Sequence, residues 1–152
     1  MKLTAYTDYA LRVLMHVALK DGELVRVADV AKSFDISRNH LTKVVHNLGA
    51  RGYLSTVQGR NGGIRLACVA AEINVGQVVR DFEPDSALVE CFDSALSGCR
   101  IQTVCVLKQV LKDAESAFMR HLNQVTLADL VQPRRRLQNL LGLPATRSAQ
   151  GA

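Results

Sequence analysis

Three cysteines, Cys91, Cys99 and Cys105, are separated by seven and then five residues in a chain of 152. Thiolates are soft donors, and three of them on one loop can converge on a single inorganic centre, an iron–sulfur cluster or zinc. The spacing is neither that of a zinc ribbon, with its paired C-x2-C knuckles, nor that of the tighter ferredoxin run. Three ligands leave one position short, so the centre needs a non-cysteine ligand or an open iron. Cys105 opens a helical pattern, and a helix N-terminus favours thiolate and a net negative cluster. The competing reading is three unrelated thiols. Cys68, among Leu66, Ala67 and Val69, reads as a small core residue. His16 and His46 read as structural or solvated rather than as ligands, and His121 lies on the long helix beside its apolar stripe.

A second group of residues suits DNA. Ser37, Arg38, Asn39, His40 and Lys43 open a helical stretch, 38–51, whose apolar face is Leu41, Val44, Val45 and Leu48. On the opposite face Arg38 can bond guanine bidentately and Asn39 can do the same to adenine. Downstream, YLSTV (53–57) and IRLA (64–67) read as short strands joined by QGRNGG, a hairpin with Arg60 and Asn61 at its tip. Its glycines allow the close backbone approach that a narrow groove demands.

The elements that must position these groups follow from periodicity. Residues 7–20 place Leu11, Leu14, Met15, Ala18 and Leu19 at helical spacing, with Thr7 as the expected cap and Asp21-Gly22 as the stop. Residues 27–33 form a second short helix, and Ser37 caps the third. The order helix, helix, turn, helix, hairpin predicts a winged helix-turn-helix over 1–67. The alternative is a helical hairpin with ordinary surface polar groups. Beyond it, 75–83 is a short amphipathic helix closed by Pro84, and 84–104 shows no clear period. Residues 105–125 form a long helix with an apolar face at Leu107, Val110, Leu111, Ala114, Phe118, Leu122 and Val125. A small basic lobe cannot cover so long a stripe alone, so this helix is expected to pair with a second copy, and a two-fold dimer reads a palindromic site; the alternative, compatible with the first, is packing within one chain against the first helix. TLADLV (126–131) reads as a capped final turn. The fold class is therefore mainly α with a small β-hairpin wing: a DNA-binding lobe (1–67), a cluster loop and dimerisation helix (68–131), and a basic, mobile tail (132–152).

Charge follows the same division. Residues 1–67 carry ten Lys/Arg against five Asp/Glu, 68–133 five against nine, and 134–152 four arginines and no acid. A basic first half suits a polyanion such as DNA. No apolar run approaches the ~20 residues of a membrane span. The start lacks an export leader, so a cytoplasmic chain with reduced thiols is expected. No nucleophile–base pair, phosphate loop or paired carboxylates stand in a credible setting, which argues against an enzyme; GRNGG joins two strands and is not a dinucleotide loop.

These stretches resemble the Rrf2 family of bacterial winged-helix regulators over roughly residues 1–131. The resemblance is carried by MKLTAYTDYALRVLMHVAL, ISRNHLTKVVHNLGARGYL, VQGRNGGIRLA, the three-cysteine loop and TLADLV. The first of these and the run SRNHLTKVVHNL…GRNGGIRL are most similar to the nitric-oxide-sensing repressors of that family. The resemblance implies a homodimer on palindromic operator DNA, with an oxygen- and NO-sensitive [4Fe-4S] cluster. Cys91, Cys99 and Cys105 of one subunit and Asp8 of the partner subunit would bind it. Nitrosylation of the cluster would release promoters of NO-detoxification genes. The family's cluster-assembly regulators hold [2Fe-2S] with a histidine three residues after the last cysteine; here Lys108 stands there. Two alternatives stay open at this point: a [2Fe-2S] redox or cluster-assembly regulator, and a cluster-free sensor of thiol oxidation or a small molecule.

Overall fold

The computed structural model describes residues 3–83, 88, 89, 92, 99–101 and 103–144. Pro84, Glu90 and Cys91 lie outside the described residues, as do 145–152. Helix α1 (Ala5–Ala18) is the centre of the fold. Its Ala10, Val13, Leu14 and Val17 are buried, each large apolar side chain contributing about 1.5–3 kcal/mol relative to exposure. Around α1 pack α2 (Val27–Phe34), α3 (Arg38–Ala50), β2 (Gly63–Leu66), α4 (Val75–Phe82) and α6 (Leu127–Leu130). Ile73, Val78, Phe82, Leu127 and Val131 belong to the same apolar core as Leu41, Val44 and Leu48, so residues on both sides of position 67 share one interior.

Two expected caps differ from what is found. Thr4, not Thr7, caps α1, its hydroxyl accepting the Thr7 N–H at 3.3 Å. Thr7 is buried inside the first turn and donates its hydroxyl to Glu83 at 2.5 Å. Ser37 stands at the N-cap of α3 but makes no side-chain cap bond; the tight connection relies on Asp35, whose left-handed backbone (φ 51°) suits a short polar residue. The apolar face of α3 is as expected, with Leu41, Val44, Val45 and Leu48 buried.

The hairpin pairs β1 (Leu54–Val57) with β2, Leu54 opposite Leu66 and Val57 opposite Gly63. It is tied to the rest of the lobe by a bridge between Val25 and Ile64, with N–H to carbonyl distances of 2.9 and 2.8 Å. Gly63 makes this possible: a Cβ there would stand 2.7 Å from the Val25 carbonyl oxygen.

After a 3-10 turn (Ala70–Glu72), α4 leads to the cysteine segment, and α5 (Val106–Leu122) follows it. The helix expected over 105–125 stops at Leu122, because the chain turns so that the Val125 carbonyl accepts the Val75 N–H. This far end of α5 is fixed on α4: Asn74 donates to the Asn123 carbonyl at 2.7 Å, Arg80 donates to the Asn123 side chain at 2.9 Å, and Gly76 leaves room for Asn123. No residue of α5 is buried, and Val106 and Leu107 at its head are 76% and 65% exposed. α6 carries the expected cap, Thr126 and Asp129 bonding reciprocally.

The expectation of a mobile tail fails for residues 134–143. Helix α7 (Arg134–Leu140) lies against the core through Leu137, Leu141 and Leu143, and its Gln138 is buried. Gln138 and Arg134 both donate to the Leu19 carbonyl, at 3.0 and 3.1 Å. Among the described residues no helix is long and apolar enough to cross a membrane.

His16 is fully buried between α1 and α2, with its Nε2 3.2 Å from the Ser33 hydroxyl, which donates to the Leu141 carbonyl. Burial, helped by Lys20 and opposed by Asp29, pulls its pKa down from 6.5 to about 4. A histidine kept neutral by the fold stabilises it fully above the unfolded value. That contribution falls as pH drops from 6.5 toward 4, by up to about 1.4 kcal/mol per unit. Denaturant unfolding between pH 7.5 and 4.5 checks this: His16→Gln is expected to flatten the slope relative to the parent chain, and an identical slope assigns the effect to another group.

Candidate nucleic-acid interface and metal centre

The start of α2, the outer face of α3 and the wing enclose an open groove of about 680 Å3. Arg26, Arg38 and Arg60 line it from those three elements, together with Thr42 and His46 of α3. Three guanidiniums on one concave surface favour a phosphate-rich ligand, and Arg presents planar pairs of donors to phosphate or base edges. Of the predicted DNA residues, the structure brings Arg38 and Arg60 together here. Ser37, Asn39, His40 and Lys43 are exposed at the start of α3, and Asn61 is exposed at the wing tip, outside the groove lining. The Thr42 hydroxyl donates to the Arg38 carbonyl at 2.9 Å.

Arg26 and His46 are residues that the sequence reading missed. Arg26 precedes a helix and carries no motif; only the Val25–Ile64 bridge, a non-local pairing, sets it against the wing. His46 lies two turns along α3 from Arg38, on the same side, and periodicity alone offered that placement.

At the other site, Cys105 is the N-cap of α5 and its sulfur accepts the Lys108 N–H at 3.4 Å. Cys99 is exposed, Cys105 is half-buried, and neither is in a disulfide. Cys91 lies outside the described residues. Cys105 stands at the positive end of the α5 dipole, the end at which an anionic ligand is favoured. Burial and the nearby Glu72 push the Cys68 thiol up; the expected core residue is half-buried and packs against the edge of the core rather than within it.

Asp8 lies on α1 and pairs with Arg12 at 2.9 Å. The Arg12 guanidinium in turn covers the Phe34 ring at 5.7 Å. Both charged side chains are nearly half exposed, so their pairing is worth at most about 1 kcal/mol and Asp8 can exchange partners. A hollow beside it is lined by Leu3, Thr4, Ala5, Asp8 and Leu11.

Residues 3–133 match the Rrf2 family, described as an iron-dependent transcriptional regulator. The chain belongs to the Rrf2 family. Among Rrf2-type relatives, the HTH-type transcriptional regulator NsrR of Bacillus licheniformis is 48% identical over 142 residues, covering 93% of this chain and 99% of that one. The protein of the same name from Bacillus subtilis is 47% identical, covering 93% and 97%. In fold, the oxidized form of Staphylococcus aureus CymR superposes with a TM-score of 0.69 at 25% identity, covering 87% of this chain and 97% of that one. CymR, the global cysteine regulator of B. subtilis, gives 0.71 at 21%, covering 88% and 98%. This Rrf2 chain is thus a DNA-binding transcriptional regulator with a winged-helix fold, and its relatives are regulators rather than enzymes.

Proposed function

We propose that the chain is a homodimeric repressor that senses nitric oxide through an iron–sulfur cluster at the head of α5 and reads a palindromic operator with α3 and the wing. The observation that carries this reading is Cys105. It caps a helix that is anchored at its far end and exposes apolar side chains at its head. Cys91, Cys99 and Cys105 would hold the cluster, and Asp8 of the partner subunit would complete it. The exposed turn at Val106, Leu107 and Val110 supplies the apolar surface for a second copy, and the hollow beside Asp8 leaves space for that copy to approach. Lys108 in place of a histidine favours [4Fe-4S] over [2Fe-2S]. When bound, the cluster supplies iron that reacts with nitric oxide. The chain's own part is positional: Asp8 stands on α1, and α1 packs directly on α3. A carboxylate held by the neighbouring chain therefore fixes where both recognition helices lie. A coupling of about 1–3 kcal/mol changes affinity roughly 5–150-fold, enough to free a promoter of NO-detoxification genes.

Anaerobically purified protein tests this through iron and sulfide content, electronic spectra before and after stoichiometric NO, and a gel shift on each sample. Four irons per cluster and DNA release on NO are expected. Iron-free protein that regulates normally would leave a thiol or small-molecule sensor in its place. Asp8→Ala is expected to keep the fold while destabilising the cluster or changing its NO response; an unchanged spectrum and unchanged sensitivity exclude the cross-subunit ligand.

A further inference from the structure

Three consecutive residues at the end of α4 together grip the end of α3, the root of the wing and the start of α1. The Asp81 carbonyl accepts Arg51 Nε at 3.1 Å and Nη2 at 2.6 Å, from the end of α3. The Asp81 carboxylate accepts the Tyr53 hydroxyl at 2.5 Å, just before β1, and Gln77 Nε2 at 2.8 Å. Phe82 is buried, with the Tyr6 ring at 5.5 Å and the Arg51 guanidinium over its face at 5.4 Å. The Glu83 Oε1 accepts the Thr4 N–H at 2.6 Å, the Thr4 hydroxyl at 2.8 Å and the Thr7 hydroxyl at 2.5 Å, all at the start of α1. Tyr6 closes the circuit: its hydroxyl donates to the Lys43 carbonyl on α3 at 3.0 Å and accepts from Asn47 at 2.5 Å. Burial alone would raise the Glu83 carboxyl, yet the threonine donors hold it below its ordinary value, so this anchor stays ionised at neutral pH.

We propose that this last turn of α4 is the mechanical bridge between the cysteine segment and the DNA reader, with Tyr53, Arg51 and Glu83 as its positioning residues. The segment holding Cys91, Cys99 and Cys105 starts at residue 84, immediately after the bridge. Any displacement of that segment is delivered at once to the end of α3, to the root of the wing and to the start of α1. The contacts are charge-assisted or buried, which makes the turn a stiff coupler rather than a hinge. The proposal rests on the reading of the cysteine segment as the sensor, and it adds the route within one subunit by which the sensor acts.

The test uses the full-length protein with Tyr53→Phe, Glu83→Gln and the double variant. None of these side chains lies in the groove or supplies a thiol. Iron content and spectrum are expected to match the parent in each, while the ratio of operator affinities before and after NO falls by about fivefold or more. A variant that keeps the parent ratio within twofold overturns the bridge and leaves the proposed function standing. A parent that shows no NO response refutes the function itself. A second measurement needs no signal: if one stiff turn links both contacts, the double variant binds operator no more weakly than the worse single variant, whereas independent, multiplying losses overturn the bridge.

Discussion

A Cys105→Ala chain prepared without oxygen is expected to retain no stoichiometric iron or sulfide and to bind operator without any response to NO. Cys105 has a defined structural role, as the cap of α5 and acceptor of the Lys108 N–H. Removing a metal thiolate forfeits a ligand bond, whereas the fold loses one weak sulfur hydrogen bond at a half-exposed position. The unfolding midpoint is therefore expected to move by only a few degrees while the cofactor is lost. Cys68→Ala is the control. Cys68 is half-buried against the edge of the core, and that variant should keep the full complement of iron. Iron and sulfide assays beside an absorption spectrum decide the matter. If Cys105→Ala takes up as much iron as the parent, the centre is not at the head of α5.

The second large effect is expected at Arg38. Arg38→Ala should lower operator affinity by about 1–3 kcal/mol, roughly 5–150-fold, and relax the preference at a single base position. Arg60→Ala, on the wing, should weaken binding to operator and to scrambled DNA alike and reduce the salt slope by about one. Fluorescence anisotropy on both DNAs at several salt concentrations separates these outcomes, with iron content unchanged in each. Equal losses on operator and scrambled DNA for Arg38→Ala would make it a phosphate contact and would move base reading to Asn39 or His46.

The parts of the fold that were legible are those set by local periodicity. The buried face of α3 and the paired strands follow from residues a few positions apart. What escaped was decided by contacts distant in sequence. Thr7 followed by Asp8 satisfies every local criterion for a helix cap, but Glu83 claims its hydroxyl from 76 residues away and Thr4 takes the cap. Val125 has the right spacing for the α5 stripe, but its carbonyl is recruited by Val75 and the helix ends three residues sooner, at Leu122. Three arginines in succession give the start of α7 the look of a solvated tail; Leu137 and Leu141, one turn apart, are the signal that it packs. In the candidate site, Arg38 and Arg60 were found because each belongs to a recognisable element. Arg26 was missed because its place beside them depends on a bridge between Val25 and Ile64, 39 positions apart, which no local rule shows.

The position of α7 has a practical consequence. Leu19 closes α1, and the carbonyls at a helix end lack partners within the helix. Arg134 and Gln138 provide them, and Arg134 also reaches Asp21 at 3.6 Å. A guanidinium at this negative pole stabilises it further. Cutting the chain at Pro133 would therefore uncap the central helix and uncover the wall beside His16. Shortened versions made for crystallisation, and fusions joined directly to residue 133, can be expected to lose heat tolerance before they lose any contact with DNA.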